Sequence, residues 1–477
     1  MPATDRLPRG VRIGYGSGSV ATGAFATVPG LMLLPYLTDS LGIAALAAGV
    51  IVFAPKAWDV ILNPIAGRIS DRTVDPRGPR RPWLLRAGIA LAIGFALLFA
   101  APDMSTLAEA AWVLVLFLAC ATAYAFFQVP YVSMPAEITD SYDERTRLMT
   151  WRVAILAFTI MLAGASAPAI RNAVGGRDGY RVMGVVMAVI IVVGVVSAYV
   201  GTRRAPVAAP QPGAGSLRDQ LRIVATADDF RHLLTTFVVQ ALATGCMLAG
   251  VDYLATDVLG RKGAATVLFL CFVGPALLLT PVWTAIGTRV GKKRGYVAAS
   301  LVLAAGALLV ATARSAPLWV VFAATVLVGI GYAGCQVFPM AMLPDAAAVD
   351  ARRTGSNRAG VYTGVWTAGE TLGLALGPGV FAMVLAIGGY RSSTDGDVVQ
   401  PDSALTAITL GFSVLPALLI ILSLLWLRRY SLDAAHLDVP TPTEVSPRPT
   451  RSPASARRRL SSTVPTGSLE KGREACR

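Results

Sequence analysis

Lys56-Ala-Trp-Asp-Val-Ile-Leu-Asn-Pro64, continuing through Gly67 and Asp71-Arg72-Thr73 to Arg80-Arg81-Pro82-Trp83, decides how the rest of the chain is read. It places a lysine and an aspartate inside an apolar helix and ends in a basic loop. At membrane depth an ionisable side chain costs roughly 2.5–3.5 kcal/mol on insertion scales, so it is rare and by default marks a functional site. Lys56 and Asp59 are three residues apart, while Asp59, Asn63 and Gly67 step by four, so a helix puts all four on one face. That face is expected to look into a protein interior.

Composition agrees with a membrane setting. Of 477 residues, 55% are hydrophobic and only 15% charged, with a mean hydropathy of +0.60, too apolar for an average soluble protein. A net charge of +14 is compatible with nucleic-acid binding, but the arginines fall in short clusters between apolar runs. That pattern belongs to loops that orient a membrane protein, so lipids are the expected neighbours and nucleic acid is not an expected partner. Cysteines at 120, 246, 271, 335 and 476 show no metal-binding or evident disulfide spacing and read as packing residues. At about 20 apolar residues per span, twelve spans are predicted: 14–38, 43–67, 84–103, 108–136, 152–174, 181–202, 232–254, 263–287, 295–313, 317–343, 357–387 and 403–427. The first is long enough to remain as a membrane helix rather than a cleaved signal.

An even number of spans places both termini on one side. Loops on that side hold Arg72, Arg77, Arg80, Arg81, Arg145, Arg147, Arg203, Arg204, Arg218, Arg222, Arg289, Lys292, Lys293, Arg294, Arg352 and Arg353, and the opposite loops hold fewer cations. Both termini are therefore expected in the cytoplasm, with the chain in the cell membrane. The chain divides into an N-terminal six-helix half (1–202), a Pro/Ala/Gly-rich cytoplasmic linker (203–231), a C-terminal six-helix half (232–429) and a Pro/Ser/Thr/Arg-rich cytoplasmic tail (430–477) expected to be disordered.

The halves repeat. Tyr124-Ala-Phe-Phe-Gln128, with Pro135, Glu137 and Arg145-Thr146, recurs as Tyr332-Ala-Gly-Cys-Gln336, with Pro344, Asp345 and Arg353-Thr354. A duplicated six-span unit with a site between the halves is how many secondary transporters are built, and rocking exposes that site to each side in turn. The sequence has two histidines, His232 and His436, no phosphate-binding Gly-Lys-Ser/Thr loop and no paired Cys/His ligands, so no enzyme is expected.

Trp58-Asp59, Asn63-Pro64, Gly67, Asp71-Arg72-Thr73 and Arg80-Arg81-Pro82-Trp83 together resemble the glycoside-pentoside-hexuronide:cation symporters of the major facilitator superfamily, the family typified by melibiose permease. Tyr36-Leu-Thr-Asp39, Gln128-Val-Pro130 and the run from Gly364 through Glu370 to Pro378 extend the likeness over about residues 11–430. The resemblance implies a major facilitator fold of twelve transmembrane helices in two six-helix pseudo-repeats. It also implies a cation site near Asp59. The family includes sodium-coupled lysophospholipid carriers as well as sugar symporters. In well-studied members a second aspartate stands at the position of Asn63 and a third acid at that of Gln128, and span eleven commonly carries a lysine near Glu370. The carboxylate cage is thus reduced here to one acid.

The candidate coupling residues are Asp59, Lys56, Asn63 and Glu370. Asp59 reads either as a proton- or cation-binding group or as half of a static ion pair with Lys56; Glu370 is the rival proton carrier or a packing residue. Gln128 and Gln336 are candidate substrate ligands or interhelical glue. Tyr124, Tyr332, Trp366 and Thr367 complete the candidate substrate set. Asp71, Arg72, Arg80 and Arg81 are expected to gate the cytoplasmic side through exposed, individually weak charge pairs. Asp252 and Asp257 are expected to be wetted. The function expected is a cation- or proton-coupled symporter of a small organic solute, a sugar or glycoside, working as a monomer by alternating access, with H+ as coupling ion before Na+ and no cofactor. The alternative is a carrier of lysophospholipid or another amphipath, and a third reading is a membrane receptor or scaffold.

Overall fold

The computed structural model describes residues 7–76, 78, 80–139, 141–203, 205, 227–354, 359–394 and 398–432. Most of the linker, the tail from 433 onward, Arg77, Arg204, Arg218 and Arg222 lie outside the described residues. Among the described residues, fourteen α-helices follow in order: α1 (Arg9–Asp39), α2 (Ala45–Asp71), α3 (Arg81–Leu98), α4 (Thr106–Ile138), α5 (Tyr142–Val174), α6 (Gly176–Thr202), α7 (Asp228–Tyr253), α8 (Ala264–Leu278), α9 (Thr280–Val290), α10 (Lys292–Val310), α11 (Leu318–Thr354), α12 (Ala359–Ile387), α13 (Asp402–Phe412) and α14 (Val414–Arg429). A π-helical turn, Leu254–Val258, extends α7.

Each predicted span has a counterpart. Among the described residues, ten helical segments are by themselves long and apolar enough to cross a membrane, α13 and α14 together forming one of them. Helices α8 and α9 qualify only as a pair, bent by 50° at Leu279. Pro275 in α8 and Pro281 in the first turn of α9 flank the break, and proline can supply no amide to the helix ladder there. Helix α2 is 27 residues long and carries Lys56 and Asp59 near its middle.

The ends are set locally. Ser105 and Ser141 accept from the amides of Ala108 and Glu144 and so start α4 and α5. Gly175, at φ +80°, turns α5 directly into α6 in the left-handed region that favours glycine.

Lipid tails are as apolar as leucine, so these helices associate by close packing and hydrogen bonds rather than by the hydrophobic effect. Gly14 and Gly201 meet where α1 crosses α6: a Cβ on Gly14 would lie 2.5 Å from the Gly201 Cα. Helices α1–α6 pack on one another, with α1 against both α5 and α6 and α4 against α2 and α3; among α7–α14, α11 packs on α10 and α8, and α7 on α12 and α14. The two sets meet through α2 with α12, α5 with α8 and α1 with α7.

Those three meetings lie toward one end of the helices. Gly49 of α2 faces α12, where an added Cβ would be 2.6 Å from Ala382 Cβ, and Gly164 of α5 faces α8, where it would be 2.0 Å from the Phe269 ring. Gly30 of α1 faces Leu248 of α7. The end carrying residues 39–44 and 388–401 is called the bolted end below, and the end carrying residues 72–80 the open end.

Candidate functional site

One wall of the site belongs to α1, α2, α4 and α5. Asp59, midway along α2, is 4% exposed, and its Oδ1 has no hydrogen-bond partner. Lys56 makes no ion pair with it; its ammonium instead lies 5.5 Å from the centroid of the Phe25 ring. The static Lys56–Asp59 pair is therefore not what the structure shows. An acidic oxygen buried without a donor can accept a proton or a small cation. Asn63, one turn nearer the open end, is exposed. Across from α2, the Thr22 hydroxyl donates to Gln128 Oε1 at 2.8 Å, and the Tyr124 ring packs 4.7 Å from Phe25.

The second wall belongs to α7, α11 and α12. Gln336 Nε2 donates to the Tyr332 hydroxyl at 3.0 Å. Glu370 lines a small cavity with both of them and with Gln240, Thr244 and Cys335. Thr367 is exposed and donates back to the Thr363 carbonyl at 3.1 Å. Trp366 is placed elsewhere: it is 1% exposed and stacks on Phe237 at 4.4 Å, so it supports the wall from behind.

The bolted end is closed by polar bonds between the two sets. Thr38 and Tyr253 share a hydrogen bond of 2.7 Å, and the Ser393 amide donates to the Thr38 carbonyl at 2.9 Å. The Tyr390 hydroxyl lies 2.8 Å from Asp39 Oδ1 and 3.3 Å from Asp257 Oδ2. Burial, then the Asp39 charge, push the Tyr390 phenol far above its ordinary pKa, so it stays a donor. Arg171 of α5 forms an ion pair with Asp252 of α7, and Asn172 donates to the Lys262 carbonyl at 2.6 Å. Asp252 is 1% exposed, which corrects the expectation that it is wetted: the arginine compensates its charge in place of water. A pocket of about 590 Å³ beside these bonds is lined by Asp39, Arg171, Arg177, Asp257, Tyr390 and Arg391.

Among the described residues, the bonds of Arg80 and Lys292 at the open end stay within one set. Arg80 reaches Asp71 at 2.5 Å, Glu137 at 2.7 Å and Ser70 at 2.6 Å, tying together α2, α3 and α4. Arg81 donates to the Ala205 carbonyl at 2.6 Å. Both arginines are only 6% exposed. The expected exposed pairs are thus a brace inside α1–α6 whose two arginines are buried, while Asp71 and Arg72 are exposed. In the other set Lys292 pairs with Asp345 at 2.5 Å, the repeat counterpart of the bond to Glu137.

Sequence reasoning passed over Arg152, Thr22 and Gln240. Arg152 of α5 lies 5.7 Å over the Tyr131 ring, with a buried Nε that has no partner. It stands at the very start of its predicted span, where an arginine reads as a flanking charge. Thr22 and Gln240 carried no signal, because isolated polar residues in apolar helices are common.

The family described as MFS/sugar transport protein matches residues 14–434. The glucuronide carrier protein homolog of Escherichia coli (strain K12) is 25% identical over 411 residues, covering 85% of this chain and 88% of that protein. The sodium-dependent lysophosphatidylcholine symporter 1 of Gallus gallus is 24% identical over 476 residues, covering 90% of this chain and 88% of that protein. The crystal structure of a D-xylose-proton symporter has a TM-score of 0.65 at 13% identity, covering 90% of this chain and 98% of that one, a likeness of fold. A chain of many apolar helices, with a polar group in each set and bonds between the sets at one end, belongs to the MFS/sugar transport protein family: it is a multi-pass membrane transporter of the major facilitator superfamily, not an enzyme, and its substrate is a small molecule.

Proposed function

We propose that this chain is a proton-coupled symporter of a sugar or glycoside in the cell membrane, with both termini in the cytoplasm, and that the structure is its inward-open state. The observation that carries this reading is Asp59, a buried carboxylate whose Oδ1 has no donor and which Lys56 does not pair. A proton needs only one oxygen. A sodium ion needs several, and the neighbours that would supply them are an exposed Asn63 and a Gln128 whose oxygen already accepts from Thr22. The two relatives named above as symporters are, by their names, a sodium-dependent and a proton-coupled carrier, which supports cation coupling in general.

Helices α1–α6 and α7–α14 are the two rocking halves, 1–202 and 232–429, acting together as a monomer. The basic loops at the open end support a cytoplasmic orientation for it. Solute sits between Asn63, Tyr124 and Gln128 on one wall and Tyr332, Gln336 and Thr367 on the other. Amides and hydroxyls there match sugar hydroxyls, the Tyr124 ring offers a face to stack on, and Arg152 suits a carboxylate such as that of a uronide. Protonation removes the Asp59 charge, which lowers the cost of closing the apolar walls around the loaded site. A carrier of lysophospholipid is the second reading, supported by the lysophosphatidylcholine symporter among the relatives.

Proteoliposomes tested with sugars, glycosides, glucuronides and lysolipids decide between the two readings. A gradient of one pH unit supports about tenfold accumulation at one proton per solute. Asp59→Asn is expected to reduce that ratio to about one while exchange of labelled for unlabelled solute continues. Undiminished accumulation in the variant would remove Asp59 from the coupling step.

A further inference from the structure

Gln240, on α7, is 4% exposed, and its amide orientation is fixed by its neighbours. Its Nε2 donates to Ser300 Oγ at 3.0 Å and to Ser423 Oγ at 3.0 Å. Each serine has one hydroxyl proton, already given to a backbone carbonyl of its own helix: Ser300 to Tyr296 at 2.9 Å and Ser423 to Ile420 at 2.6 Å. Toward Gln240 the serines can therefore only accept, so the NH2 group must face them and both its protons are used. The carbonyl oxygen is turned the other way, and it has no donor. A buried acceptor left in that state carries an uncompensated desolvation cost.

The cavity that Gln240 lines is about 20 Å³, room for one water, and Glu370, Tyr332, Gln336, Thr244 and Cys335 share it. Thr244 gives its proton to the Gln240 carbonyl of its own helix at 3.0 Å. Tyr332 accepts from Gln336 and so keeps its own proton to give. The titratable groups beside Glu370 are thus the Tyr332 phenol and the Cys335 thiol of α11; α7 contributes Gln240 and Thr244 and α10 contributes Leu303, none of them titratable. From α2, which packs on α12, the ionisable side chains at mid-helix are Lys56 and Asp59.

We infer that Glu370 and Gln240 form a second proton site, in which the protonated Glu370 carboxyl donates, through the one water the cavity holds, to the Gln240 carbonyl oxygen. This rests on the reading of the chain as a proton-coupled symporter and assigns Gln240 as the positioning residue of the C-terminal half. The arrangement has two states. A proton from water forms the O–H bond at Glu370, and the side chain is then held to α7. When that proton returns to water, the bridging water gives one proton to the carboxylate and the other to the amide oxygen, and the Tyr332 hydroxyl is a further donor to the carboxylate. Proton loading thereby changes Glu370 from donor to acceptor toward the bridging water.

The test needs no solute. Infrared difference spectra of the purified protein in lipid nanodiscs, taken on acidification, report the C=O stretch of any newly protonated carboxylic acid and its hydrogen bonding. The expected result is a hydrogen-bonded acid band that Glu370→Gln abolishes, Asp59→Asn retains, and Gln240→Met moves to higher frequency. Should Gln240→Met not yield a monodisperse protein, wild type labelled with 13C at the glutamine side-chain carbonyls serves instead. The amide band must then shift down on acidification, and Glu370→Gln must remove that shift. In the Asp59→Asn background, where Asp59 contributes no acid band, a hydrogen-bonded acid band that survives Glu370→Gln, or one that Gln240→Met leaves unmoved, overturns the site. If Asp59→Asn alone removes the band, this site falls while coupling through Asp59 stands. Absence of any acid band overturns both.

Discussion

The two ends of the molecule are built from similar residues used in opposite ways. At the bolted end, charges and hydroxyls bond across the sets: Arg171 to Asp252, Tyr390 to Asp39, Thr38 to Tyr253. At the open end, Arg80, Asp71 and Glu137, or Lys292 and Asp345, bond inside one set. A bond across the sets holds a conformation, and a bond within one holds a rigid body. In a rocking transporter only the first kind has to break and re-form during the cycle.

The comparison breaks most readily at its two arginines. Removing one partner of a buried ion pair costs about 3–5 kcal/mol, so Arg171→Leu and Arg80→Leu are both expected to lower the melting temperature. Only Arg171→Leu should shift the equilibrium between outward and inward states. Labelling of an Asn63→Cys variant by an impermeant maleimide, applied at the open end, should fall roughly tenfold or more in Arg171→Leu and stay unchanged in Arg80→Leu. Equal changes in labelling would erase the distinction between the ends.

Tyr390→Phe sharpens the same comparison at smaller scale. It removes a hydroxyl bonded to carboxylates and nothing else, a loss of about 1.5–3 kcal/mol for a bond to a charged group. Labelling at position 63 should fall several-fold, less than in Arg171→Leu. A wild-type rate would mean that the phenol adds nothing to the bolt.

The smallest effect is expected at Glu144, a loop-side carboxylate bonded to Arg12 at 3.0 Å and Arg147 at 2.6 Å. Burial alone would push its pKa up, but the Arg147 hydrogen bond and the Arg12 charge win and hold it below the ordinary carboxylate value. A depressed folded-state pKa contributes stability that is complete above the unfolded value, about 4.3 for Glu. That stability is lost as pH falls through the lower, folded value. Arg12→Ala should therefore lower the melting temperature slightly at neutral pH and make no difference once Glu144 is protonated in both proteins. Because the bond lies within one set, labelling at position 63 should not respond.

Most of the helices were legible in the sequence, because a span is a local property: about 20 apolar residues in a row suffice, whatever they later touch. The stripe of Lys56, Asp59 and Asn63 was legible for the same reason, as was the repeat linking Gln128 to Gln336. The break between α8 and α9 was signalled only by its prolines. Partners were not legible. Lys56 is three residues from Asp59, yet its ammonium rests over Phe25 from another helix. Trp366 has the composition of a ligand residue and is buried behind Phe237. Asp252, at the end of its span, reads as wetted until Arg171, 81 residues away in sequence, comes to meet it.

The sequence by itself determined that this chain crosses a membrane many times, that it is duplicated, and that an acid sits at mid-depth on a helix face. Each of those follows from spacing along one segment. Only the tertiary structure decided which end is bolted, which charges brace a half rather than join the halves, and which buried oxygens, at Asp59 and Gln240, have no donor. The reason is physical: a hydrogen bond or an ion pair is settled within 3 to 4 Å, between helices whose packing no single segment encodes.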